Sequence, residues 1–74
     1  MSDDRPIHPD VDFQAGLLAA KVGRRVMSLD AAAAELAGWQ HETLTGAEGD
    51  RWRPVEPRAL IVMHMMNCLL KRGY

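Results

Sequence analysis

The chain has 74 residues, nine basic and ten acidic side chains, and a net charge of −1 at pH 7. That length allows one domain, which buries only roughly 60% of its unfolded surface and is marginal on its core alone. The charge balance argues against a dedicated nucleic-acid binder, whose footprint is strongly basic, and the single cysteine, Cys68, excludes an intrachain disulfide.

The first residues are acidic and lack an apolar run, so no signal peptide is expected. The longest apolar run, residues 59–70, is shorter than the about 20 residues that span a bilayer. With one unpaired cysteine, the chain reads as a soluble cytoplasmic protein. Its charges are unevenly placed. Asp3, Asp4, Asp10 and Asp12 crowd the N-terminus, while Arg51, Arg53, Arg58, Lys71 and Arg72 lie in the last third.

Residues 1–9 carry two prolines and several charges, and read as a flexible arm ahead of a single domain, 10–74. A first helix is expected over residues 10 to about 27. Asp10 and Asp12 suit its positive end, and Arg24 and Arg25 its negative end. Val11, Ala15, Leu18, Val22 and Val26 fall on one stripe, and Phe13, Leu17 and Ala20 form a second apolar patch. Gly16 and Gly23 lie nearly in line. Each costs about 1 kcal/mol of helix stability relative to alanine, so they mark either close approach of another helix or a weak, kinked one.

Ser28 suits the N-cap of a second, short helix over residues 29–37, with Gly38 as its stop. Leu29, Ala32, Ala33 and Leu36 give that helix a narrow apolar face. Trp39 would cover its end. Gly46, Gly49, Pro54 and Pro57 then break helices, and residues 39–56 read as a short β-hairpin turning at 47–50 or as an irregular loop. Pro57 fits the first turn of a third helix ending near Arg72, with Gly73 as its stop.

Residues 59–70 of that helix hold ten apolar residues in twelve. On a wheel, Arg58, Ala59, Ile61, Val62, Met63, Met65, Met66, Leu69 and Leu70 occupy an arc of roughly 200°. Leu60, His64, Asn67 and Lys71 form the remaining, wetter stripe, with Cys68 at its border. A surface helix requires a dry face of about 100° or slightly more. The first two helices could cover that much, and the surplus calls for another partner. Met63, Met65 and Met66 suit an adaptable interface, although methionine also fills cores.

Little in the chain points to chemistry. His64 and Cys68 are four apart, a spacing that can present two zinc ligands, but a structural site takes about four. His8, His41 and the aspartates supply no matching motif, so no metal and no cofactor are expected. Phosphate-binding glycine loops and nucleophile elbows are absent. Ser28 is better explained as a cap than as a nucleophile, and no enzyme activity is expected. Arg51-Trp52-Arg53 is the best binding tripeptide, because tryptophan and arginine dominate interface hot spots. In a strand, Trp52 would point to the core and the arginines outward.

Residues 28–38, Ser-Leu-Asp-Ala-Ala-Ala-Ala-Glu-Leu-Ala-Gly, resemble the opening helix of excisionase-like winged-helix DNA-binding proteins. Gly49-Asp50-Arg51-Trp52-Arg53-Pro54, followed by Pro57-Arg58-Ala59-Leu60, resembles their wing strand and the helix after it. The resemblance implies DNA binding, with Arg51 and Arg53 as phosphate contacts in the wing.

The residues themselves favour another reading: a mainly α, three-helix domain with an irregular or short β-hairpin segment between helices two and three. Its expected role is that of a non-enzymatic interaction protein, a regulator, inhibitor or adaptor. It would act through Arg58, Val62, Met65, Met66 and Leu69 on the last helix, with Arg53 at the rim. The expected partner is a second copy, giving a homo-oligomer such as a dimer, or another protein. Nucleic acid is the alternative, and no membrane is expected.

Overall fold

A computed structural model describes residues 4–46 and 49–71 of the chain. Three α-helices of equal length, α1 (Pro9–Gly23), α2 (Leu29–Thr43) and α3 (Pro57–Lys71), pack pairwise around one core. A 3₁₀ turn, Gly49–Arg51, lies between α2 and α3. No strand forms among the described residues, so the irregular alternative describes the connection and the hairpin is not formed. The middle of the expected hairpin turn, residues 47 and 48, lies outside the described residues, as do Arg72 and Gly73.

The helices start where the chain can satisfy their free N–H groups. His8, not Asp10, caps α1: its Nδ1 accepts from the Asp10 N–H at 3.0 Å, and Pro9 takes the first position, where no N–H is needed. Ser28 caps α2 through Oγ, which accepts from the Ala31 N–H at 3.1 Å. Ahead of α3, the Glu56 carboxylate accepts from the Ala59 N–H at 2.7 Å.

Two helix ends differ from the expected ones. α1 stops at Gly23 and does not reach residue 27, because the chain closes a Schellman turn. The Arg25 N–H donates to the Val22 carbonyl and the Val26 N–H to the Lys21 carbonyl, both at 3.0 Å. Arg25 takes the left-handed conformation, φ 61°, in which glycine is usual. Conversely, α2 runs through Gly38 to Thr43. A glycine stops a helix only by turning left-handed beyond its last turn. Here the next residues stay helical and are held by contacts further along the chain.

Gln40 makes the main such contact. Its Nε2 donates to the Val55 carbonyl at 3.1 Å, and its Oε1 accepts from the Val55 N–H at 2.8 Å. One side chain thus satisfies both backbone groups of a partly buried residue, as a neighbouring strand would. It fixes the chain two residues before α3 begins. Gly49 constrains the same connection, since a Cβ there would overlap the Leu44 carbonyl oxygen.

The core is Val11, Ala15, Leu18 and Ala19 from α1, Ala32 and Leu36 from α2, and Leu60 and Ile61 from α3. Val22, Met27, Leu29, Ala33, Val55 and Met65 pack around it. The expected stripe of α1 and the apolar face of α2 are both there, except for Val26, which lies beyond α1 and is exposed. Three of the eight fully buried side chains are alanines, so the helices approach closely and the core holds little apolar volume.

The arm ahead of α1, expected to be flexible, is tied down where it is described. The Arg53 N–H donates to the Pro6 carbonyl at 2.9 Å. Arg5 donates to the Asp50 carbonyl at 3.0 Å. The His8 ring meets the Trp52 ring edge-on, with centroids 4.6 Å apart. These contacts hold the segment ahead of α1 against residues 50–53 of the connection between α2 and α3.

Candidate interaction surface

α3 places its residues in two groups. Ile61 and Leu60 are buried, and Met65 packs against the core. Leu60 was expected on the wet stripe. It is buried because α1 packs against that flank of α3 and not only against the wide apolar arc. His64 belongs to the same flank. Its ring lies against Gly16 of α1, with Nδ1 3.5 Å from where a Cβ would stand. Its Nε2 lies 2.8 Å from Asp12 Oδ1. A carboxylate only accepts, so Nε2 carries the proton in this contact. The glycine thus gives room to a side chain on another helix, whereas Gly23 has nothing near it.

Turning part of the wet stripe inward leaves much of the dry arc outside. Met63, Met66, Leu69 and Leu70 are 56%, 58%, 51% and 67% exposed. Val62 is half-buried beside them. Of the expected surface, Met66 and Leu69 are therefore open, and Met63 and Leu70 extend it. Met65 is largely committed to the core. Arg58 is exposed at the start of the helix and pairs with Asp30 of α2. Arg53 is half-buried and Arg51 exposed, both in the segment that meets the N-terminal arm. They lie ahead of α3 and not along its apolar face.

A second apolar area lies on α1. Phe13 is 65% exposed, and Leu17 next to it is also exposed. Together with Pro9, Asp12, Gly16 and His64 they line an open hollow of about 410 Å³ between α1 and α3. On its other side, Leu17 faces Trp39 across a groove of about 440 Å³ between α1 and α2, edged by Lys21, Glu35 and Glu42. Trp39 was expected to cover the end of α2. It lies within that helix, because α2 is six residues longer than the glycine suggested.

The remaining polar residues are dispersed. Cys68 is exposed. Among the described residues, no three histidine, cysteine or acidic side chains come together as metal ligands would. His64 Nδ1 faces Gly16, so that nitrogen is turned toward α1. No helix among the described residues is long and apolar enough to cross a membrane.

Sequence reasoning missed Phe13 as part of an open surface, although its patch with Leu17 and Ala20 was visible in the helical spacing. It also missed Gln40, for which no sequence signal exists, since its partner is 15 residues away. Comparison with family models, curated proteins and solved structures found no match for this chain.

Proposed function

We propose that the chain is a non-enzymatic interaction protein, of regulator, inhibitor or adaptor type, that works through the apolar face of α3 and associates with itself. The observation that carries this reading is the row Met63, Met66, Leu69 and Leu70, four large apolar side chains more than half exposed on one 15-residue helix. Scattered apolar residues are normal on a surface, but contiguous ones mark a binding site.

Area supports it. The accessible surface is 5496 Å², whereas a folded monomer of 8.2 kDa exposes about 4,500 Å². Part of the excess is shape, since the molecule measures 39 × 23 × 19 Å. A core this rich in alanine also leaves a short chain with little reserve, and oligomerisation is one of the few remedies open to it.

Light scattering on the purified chain tests the reading. A mass of at least two chains supports it, and a clean monomer at all concentrations removes it. Tight binding to duplex DNA at low salt, weakening steeply as salt rises, would instead support the excisionase-like alternative, with Arg51 and Arg53 on the phosphates.

A further inference from the structure

We infer that His8 is a pH-sensitive latch: a second proton on its imidazole removes the cap of α1 and releases the N-terminal arm from the connection between α2 and α3. The latch is independent of what covers the open face of α3.

His8 joins the docked arm to the start of a helix. Its Nδ1 accepts from the Asp10 N–H at 3.0 Å. That nitrogen must therefore carry a lone pair, and the ring is neutral with its proton on Nε2. The same ring meets Trp52 edge-on, with centroids 4.6 Å apart. Beside it the arm touches the connection at two further points. The Arg53 N–H donates to the Pro6 carbonyl at 2.9 Å, and Arg5 donates to the Asp50 carbonyl at 3.0 Å.

Histidine exchanges a proton between about pH 5 and 8. An imidazolium carries N–H on both nitrogens and accepts nothing. Protonated in place, the His8 ring would aim a donor at the Asp10 N–H and set a positive charge at the positive end of α1. The ring therefore turns away, and the cap and the Trp52 contact go together. Loss of a side-chain cap shifts a helix end toward its frayed form roughly fivefold. The charged groups around the latch are Asp10 and Asp12 in the first turn of α1, Asp4 and Arg5 in the arm, and Asp50, Arg51 and Arg53 in the connection. From α3, His64 reaches Asp12. These charges move the pH at which His8 takes the proton, not what the proton does at Nδ1. The arm is docked where His8 is neutral, and it is released as pH falls through the titration of that ring.

His64 responds the other way. Its Nε2 already donates to Asp12 at 2.8 Å, so a second proton leaves that bond in place and adds charge to it. Acid thus frees the arm while α1 stays tied to α3, and the change is local.

Nuclear magnetic resonance of the nitrogen-labelled chain across that pH range tests the latch, with the fold of each variant checked by circular dichroism. Cross-peaks between the His8 and Trp52 rings should disappear as the His8 ring titrates. The Arg53 amide, losing Pro6, should shift with the same midpoint. His8→Asn keeps a capping side chain that takes no proton, so its Arg53 amide should stay fixed. His8→Ala should show the low-pH Arg53 position even at the alkaline end. His64→Asn, if folded, should respond as the wild type does. A ring contact and an Arg53 amide that persist unchanged while His8 titrates would overturn the inference. So would a response that survives in His8→Asn or vanishes in folded His64→Asn, or an arm that stays docked in His8→Ala.

Discussion

Single residues fix the connections of this fold more firmly than its core does. Gln40 holds both backbone groups of Val55. Gln40→Ala should cost about 1–3 kcal/mol, because a partly buried N–H and C=O lose their partners together. Chemical denaturation measures it, and Gln40→Glu, which keeps the acceptor but sets a second carboxylate oxygen against the Val55 carbonyl, should not restore the wild-type stability. Arg25 is the opposite case. It occupies the left-handed position of a Schellman turn, φ 61°, where a Cβ is strained. Arg25→Gly should therefore raise stability by about 0.5–1 kcal/mol. Neither residue announces itself in the sequence. Gln40 looks like any polar helix residue until the chain returns 15 positions later, and Arg25 looks like a charge suited to a helix end. Ser28, by contrast, was legible, because a serine cap acts on an N–H only three residues on.

At the scale of elements, local signals located the starts of the helices better than their ends. Pro9 and Pro57 mark where α1 and α3 begin, Ser28 marks α2, and α1 and α2 also have acidic first turns. Gly38 misled because a glycine signals a stop only when the residues after it gain more by leaving the helix. Here Trp39 lies against the α1 groove and Gln40 clamps Val55, so α2 continues to Thr43. This is testable. A Cβ at Gly38 would meet nothing, so Gly38→Ala should stabilise the protein by about 1 kcal/mol, as expected inside a helix. Loss of stability would mean that α2 ends there. α3 shows the other limit of the wheel. Periodicity gave the width of the apolar arc but not its orientation. Leu60 and His64 turn inward because α1 packs on their side, with Gly16 giving room for the imidazole. The expected surface therefore shifted by about a residue, losing most of Met65 and gaining Met63 and Leu70.

For the whole molecule, a lean core and an exposed apolar face have one cause. Eleven of the residues that could fill the interior are small or turned outward: Ala15, Ala19 and Ala32 supply little volume, and Phe13, Leu17, Val26, Trp39, Met63, Met66, Leu69 and Leu70 are exposed. A chain so arranged gains from covering that face. Met66→Lys should weaken association at least tenfold, the loss of one well-packed side chain at an interface being worth about 1.4 kcal/mol or more. Because the position is exposed, helicity and thermal unfolding at low concentration should change little. The most direct measurement is light scattering across a range of concentrations on the wild-type chain and on Met66→Lys. The wild type is expected to show a dimeric mass that falls toward one chain on dilution, and Met66→Lys a folded monomer. A wild-type chain that stays monomeric at the highest concentration, or a Met66→Lys chain that associates as well as the wild type, would contradict it.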